Sequence, residues 1–152
     1  MGTPEWDDSL PYALWRAHQV VQRSVTAELE SSGATINQLG ILVHLHLEGP
    51  RSASDLGRRF RITPQSAALA LRTLEQRGWT TSRPHPTHGR VVLHEPSPAG
   101  VEAAEDAIHR LDGVNQRLDE AIGEDLRKEL VARLVIVDRK LGGPRDEGDL
   151  SL

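Results

Sequence analysis

Two groups of side chains in this 152-residue chain have the type and spacing for chemistry. His85, His88 and His94 fall within ten residues of one another in RPHPTHGRVVLHEPSPAG, close enough for imidazoles to share a metal ion. Upstream, TPQSAALALRTLEQ carries Gln65, Ser66, Arg72, Thr73 and Gln76. Their amide and guanidinium forks and their hydroxyls match the edges of nucleic-acid bases. The histidine stretch also holds four prolines and the apolar run Val91-Val92-Leu93, so it reads equally as a small hairpin with a polar tip.

The rest of the chain narrows the choice. It has no cysteine, which excludes disulfides, thiol redox chemistry and Cys-ligated zinc. The seven histidines are scattered and no pair has i, i+4 helical spacing. His44 and His46 lie two apart and do not share a helix face. There is no Gly-rich phosphate loop, paired carboxylate or Ser–His arrangement, so neither an enzyme nor a cofactor is expected. No apolar run reaches the length of a membrane span, and the acidic opening MGTPEWDDSLPY lacks the apolar region of a signal peptide. A cytoplasmic location is expected, on the nucleoid when DNA is bound.

Charge is unevenly spread. Residues 1–48 carry −4, residues 49–94 carry +6 and residues 95–152 carry −6. A basic middle between acidic ends suits a segment that faces a polyanion.

The elements that must position these groups are mostly helical. Aromatics make up only 3% of the chain, so the core must come from Leu, Val, Ile and Ala, which favours helix-on-helix packing. Leu10, Leu14, Ala17, Val21, Val25 and Leu29 form one stripe of a helix over residues 10–31. A second helix, about 36–47, is apolar over much of its circumference and should be central. A short third one starts at Ser52 or Ser54, with Leu56 and Phe60 facing inward. Thr63 then caps a helix whose first residue is Pro64, and Gly78 stops it, with Ala67, Ala70, Leu71 and Leu74 as its buried stripe. WTTSR and RVVLH flank the Pro/His/Gly turn as strands. Two long helices follow, with Gly123 between them, and each shows a narrow apolar seam. The compact middle is too small to cover these and the first helix. A second copy of the chain is the expected cover, through Leu10, Leu14, Leu111, Leu118, Leu130, Leu134 and Val137.

Two short helices with a tight turn, then a hairpin, make a winged helix-turn-helix pattern. INQLGILVHL, SASDLGRRFRITPQSAALALRTLEQRGW and RPHPTHGRVVLHEPSPAG resemble the multiple antibiotic resistance regulator (MarR) family over roughly residues 10–140, most densely over 52–100. The resemblance implies a mainly α (α+β) winged helix-turn-helix protein with long N- and C-terminal dimerisation helices. Residues 1–34 would be an arm and dimerisation helix, and 35–97 the DNA-binding lobe, with its recognition helix at 63–77 and its wing at 79–95. Residues 98–142 would be the C-terminal dimerisation helices and 143–152 a polar tail. It implies a homodimeric, sequence-specific transcriptional regulator, a repressor released from a pseudopalindromic duplex by a small aromatic or anionic effector.

On that reading the DNA contacts are Ser52, Ser54, Thr63, Pro64, Gln65, Ser66, Leu69, Arg72, Thr73, Gln76, Arg83, His88 and Arg90. Tyr12, Trp15, Arg16, His18, Gln19 and His44 would line the effector site, by stacking and charge pairing. Two positions depart from the family. Leu69 stands where many relatives carry Arg or another polar residue. His88 replaces an Asp that often braces the Arg two residues on, here Arg90. Two alternatives stay open: a metal-responsive regulator on the same fold, and a dimeric scaffold with weakened DNA binding.

Overall fold

A computed structural model describes residues 6–142. The first five residues of the expected arm and the whole expected tail, 143–152, lie outside the described residues. The chain is mainly helical with one two-stranded sheet.

Helix α1 (Leu10–Leu29) has Pro11 in its first turn and ends two residues earlier than the periodicity suggests, in a 3₁₀ turn, Glu30–Ser32. Gly33 closes that turn at φ 65°, a conformation glycine adopts without strain. Helix α2 (Ile36–Glu48) opens on a capping box between Thr35 and Gln38. Helix α3 (Ala53–Phe60) opens on another, between Ser52 and Asp55. Of the two serines the sequence offers as caps, Ser52 takes the role, because only it has a carboxylate three residues on. Ser54 is left exposed. Helix α4 (Pro64–Gln76) starts at the Thr63 cap, with Pro64 supplying a first residue that needs no acceptor.

Helix α2 is central. Ile41, Leu42 and Leu45 pack with Leu56 of α3 and with Ala67, Leu71 and Leu74 of α4. Each fully buried Leu contributes roughly 2 kcal/mol by area. Strands β1 (Thr80–Pro84) and β2 (Val92–Pro96) pair antiparallel, with Thr81 opposite Glu95 and Arg83 opposite Leu93. Arg51 bridges to His94 in both directions, which pins the start of α3 to the wing. Helix α5 (Pro98–Ile122) is capped by Ser97, and its Ala104 reaches the same core. Gly123, at φ 84°, turns the chain into α6 (Glu124–Leu141), which has no buried residue. No helix among the described residues is long and apolar enough to cross a membrane.

Candidate nucleic-acid interface

Helix α4 has one buried face and one open face. Ala67, Ala70, Leu71 and Leu74 are buried, whereas Thr63, Pro64, Gln65, Ser66, Leu69, Arg72 and Gln76 are exposed and Thr73 is half-buried. The 3.6-residue period alone makes this division. The Thr63 hydroxyl oxygen accepts the Ser66 N–H at 3.1 Å, and the same hydroxyl donates to Ser66 Oγ at 2.9 Å. The Ala67 N–H goes to the Thr63 carbonyl, and Pro64 has no N–H. The Gln65 N–H is left as the outward donor of the first turn, next to the positive end of the helix dipole. The Thr73 hydroxyl donates back to the Leu69 carbonyl at 3.1 Å, so it is partly occupied. Leu69 is 60% exposed in the middle of the open face.

The arginines of the basic middle are mostly engaged within the chain. Arg58 pairs with Asp55 at 2.5 Å, Arg59 with Glu48 at 3.1 Å and Arg61 with Asp138 at 2.8 Å. Arg51 donates to the Pro50 carbonyl and lies 4.0 Å from Glu48. Arg77 donates to the carbonyls of Ser32, at 3.0 Å, and of Gly33, and covers the Trp79 ring. Arg83 pairs with Glu95 at 3.3 Å across the wing. Only Arg72 on α4 and Arg90 on the wing have no hydrogen-bond or ion-pair partner among the described residues. The segmental charge of +6 therefore overstates the charge free for a partner.

Between the wing and the start of α3 lies an open groove of about 730 Å³, lined by Arg51, Ser54, Arg58, His85, His88 and Arg90 among others. Arg51 and Arg58 were not singled out from sequence, and His85 was singled out only as a possible metal ligand. Arg51 lies in the connection before α3 and Arg58 within α3, and their approach to the wing is a tertiary fact.

The wing tip is built differently from its sequence reading. His85 Nδ1 accepts the backbone N–H of Thr87 and of His88, each at 3.2 Å. The ring thereby closes a tight turn as an Asn or Asp side chain does. The His88 ring lies 4.9 Å from it by centroid, against His85 rather than bracing Arg90. Both donors are backbone amides, so the turn depends on Nδ1 as its acceptor. His85→Ala should lose about 1 kcal/mol of local order, with faster amide exchange at Thr87 and His88, and His85→Asn should restore most of it. Equal protection in the alanine variant would show the turn to be held by its prolines instead.

His94, on β2, has its Nδ1 buried with no hydrogen-bond partner among the described residues. Burial pushes its pKa below the usual 6.5, against an opposing pull from Glu75. A histidine with a depressed folded pKa contributes stability that is present above 6.5 and lost as pH falls through the folded value. Denaturant unfolding on either side of that pH should show the loss, and His94→Gln should flatten it. An unchanged pH dependence in that variant would assign the effect elsewhere. Among the described residues no three His, Asp or Glu gather as metal ligands.

The proposed effector residues separate into two places. Tyr12 and Trp15 stack at 5.9 Å and Arg16 covers the Tyr12 ring at 5.7 Å, on the outer face of α1 with exposed His18 and Gln19. Trp15, Arg16, Gln19, Val20 and Arg23 border an open hollow of about 440 Å³ there. His44 is elsewhere: it lies 3.2 Å from Glu48 and edge-on to Phe60 of α3. The proposed interface residues also separate. Leu111 packs with Leu29, Leu39 and Ala107 inside this chain, and Leu14 and Leu118 are half-buried. Leu10, Leu130, Leu134 and Val137 stay exposed.

Residues 32–91 match the model of the MarR family. An HTH-type transcriptional regulator of Mycobacterium bovis, itself uncharacterised, is 34% identical over 77 residues, 51% of this chain and 54% of that protein. The chain thus matches about half the length of its mycobacterial relatives. Among solved structures, BpsR of Bordetella bronchiseptica, described for regulation of its DNA binding by 6-hydroxynicotinic acid, superposes with a TM-score of 0.80 at 20% identity, over 95% of this chain and 100% of that one. The transcriptional repressor CouR bound to a 23-mer DNA duplex superposes with a TM-score of 0.82 at 22% identity, over 90% and 97%. At these identities the superpositions establish the fold. The capped two-helix turn and most of the wing fall within the residues that match the MarR family model, so this winged-helix lobe is similar to that family in sequence as well as in fold.

Proposed function

We propose that this protein is a homodimeric transcriptional regulator that binds duplex DNA through the open face of α4 and the wing. The observation that carries the reading is a pair of arginines with no partner among the described residues, Arg72 on the open face of α4 and Arg90 at the wing tip. Gln65, Ser66, Arg72 and Gln76 would meet base edges, Leu69 a thymine methyl, and Thr63, Pro64, Ser54 and the free Gln65 N–H the backbone. Ser52, Thr73 and Arg83 are engaged within the chain and would contribute mainly by position. His88 would contact the backbone with Arg90.

In the dimer two copies of α4 would lie about one DNA turn, roughly 34 Å, apart. A small aromatic or anionic effector would sit against Tyr12, Trp15 and Arg16 and release the duplex by favouring another spacing. That BpsR responds to an aromatic acid supports this class of effector.

The test is titration of a labelled duplex from the chain's own upstream region against an unrelated duplex, over a series of salt concentrations. Tighter binding to the upstream duplex is expected. Arg72→Ala and Arg90→Ala should each lower the magnitude of the salt slope by about one if they touch phosphate, and Arg72→Ala should also erase the sequence preference if it reads a base. No binding at low salt would leave the chain a scaffold.

A further inference from the structure

Two arginines flank the recognition helix, and neither points toward the open face. Arg61 sits in the turn before α4, and Arg77 is its C-cap. Each donates to backbone carbonyls at the end of a different helix. Arg61 reaches α6: its Nε and Nη2 donate to Asp138 Oδ1 at 3.1 and 2.8 Å, Nη2 also reaches the Asp138 carbonyl at 3.2 Å, and Nη1 donates to the Gly142 carbonyl. Arg77 reaches the 3₁₀ turn that follows α1, at the carbonyls of Ser32 and Gly33. The last carbonyls of a helix lack intrahelical donors and carry its negative pole, so a guanidinium fork there satisfies an acceptor and a dipole together.

Arg61 also has the only positive φ of any non-glycine residue among the described residues, 53°. A side chain in that conformation costs roughly 1–2 kcal/mol that a glycine would avoid. The turn needs the left-handed conformation, and the arginine's role lies in its side chain. That role is legible in α6, which has no buried residue and departs from α5 at Gly123. The Arg61 tie joins the far end of α6 to the helix-turn-helix, and the Arg77 tie joins the other end of α4 to the 3₁₀ turn that continues α1.

The geometry points to Arg61 and Arg77 as positioning residues that suspend the recognition helix between the two assembly helices, α6 and α1. A shift of either assembly helix is then passed to one end of α4, and so tilts it. This rests on the regulator reading only for its consequence in DNA binding; the suspension itself is a property of the chain.

The absence of cysteine allows spin-label pairs to be placed without background. Arg72→Cys with Arg133→Cys reports α4 against α6, and Arg72→Cys with Gln22→Cys reports α4 against α1. Labelled chain is diluted in excess unlabelled chain, and distances are measured by pulsed electron resonance without DNA. Arg61→Gly should broaden and shift the α4–α6 distribution, leave the α4–α1 one unchanged, and preserve or raise the melting temperature. Arg77→Ala should do the converse to the two distances. Arg61→Lys, which keeps charge but not the fork, should give an intermediate width.

Unchanged distributions in both Arg61→Gly and Arg77→Ala would overturn the suspension. A second arm uses the unlabelled variants on an unrelated duplex. Their salt slope should equal that of the parent, and a magnitude lower by about one would make the arginine a phosphate contact and overturn its positioning role. If the parent binds no duplex, the regulator reading fails and the distances alone decide the suspension.

Discussion

Gly100→Ala is expected to destabilise the protein by about 2 kcal/mol, although helix propensity alone favours alanine there by up to about 1 kcal/mol. Gly100 lies in the first turn of α5 and is buried. A Cβ built on it collides with the Trp79 carbonyl oxygen. That oxygen accepts the Ser97 N–H at 2.9 Å, while the Ser97 hydroxyl donates to the Gly78 carbonyl at 2.5 Å and accepts the Gly100 N–H at 3.0 Å. The obstruction is therefore backbone held from both sides, not a flexible side-chain end. Relief must move the entry to the wing or the start of α5, and both are fixed to the core through Trp79 and Ala104. Gly113, in the same helix, has nothing within 4 Å of its added Cβ. Gly113→Ala should therefore stabilise by about 0.5–1 kcal/mol, as propensity alone predicts. Urea unfolding of both variants decides the matter. A Gly100→Ala variant as stable as Gly113→Ala would mean that the wing junction yields freely.

Local rules made much of this fold legible. Thr63 and Pro64 carry the start of α4 in two residues, and the buried stripe Ala67, Ala70, Leu71 and Leu74 follows from its period. The hairpin is visible because β-prone runs flank a proline-rich turn. The choice between Ser52 and Ser54 was also decidable: Ser52-x-x-Asp55 is a capping-box spacing, and Ser54-x-x-Gly57 is not. His85 was legible only to a reading that treats a histidine ring as an acceptor for the turn it opens.

The arginines were not legible, because their partners are distant in sequence. Arg61 finds Asp138, and Arg77 finds Ser32 and Gly33. A charge count over a segment cannot see such contacts, which leave only Arg72 and Arg90 of the basic middle without a partner among the described residues. Leu111 was read as part of an assembly seam, and within the chain it packs against Leu29, Leu39 and Ala107, a contact that periodicity along α5 alone does not reveal. On α6 the sequence stripe Leu126, Leu130, Leu134, Val137 and Leu141 was read as one seam. Val131, Val135 and Ile136 are also exposed, so the apolar surface spans a second face.

That second face sets the largest expected effect, Leu134→Glu. All eight of those α6 residues are large and apolar and lie 37–83% exposed in the single chain. Burying the remaining surface of each contributes roughly 1 kcal/mol, and two copies double the sum. The total exceeds the roughly 4–15 kcal/mol cost of immobilising two chains only if most of the helix is covered at once. Leu134 lies near the middle of α6, so a carboxylate there interrupts both halves of the surface and is buried unpaired in any dimer that forms. Leu134→Glu is therefore expected to run as a 16.8 kDa monomer in sedimentation where the parent runs as a dimer. Its affinity for a two-half-site duplex should fall by about 10²–10⁴-fold, since the second half-site is no longer bound intramolecularly. Binding to a single half-site should hardly change, which separates lost assembly from a damaged lobe. Arg133→Glu, one residue away and far more exposed, should leave the dimer intact. A Leu134→Glu protein that remains dimeric with full affinity would place the interface on α1 alone and leave the apolar surface of α6 without a role in assembly.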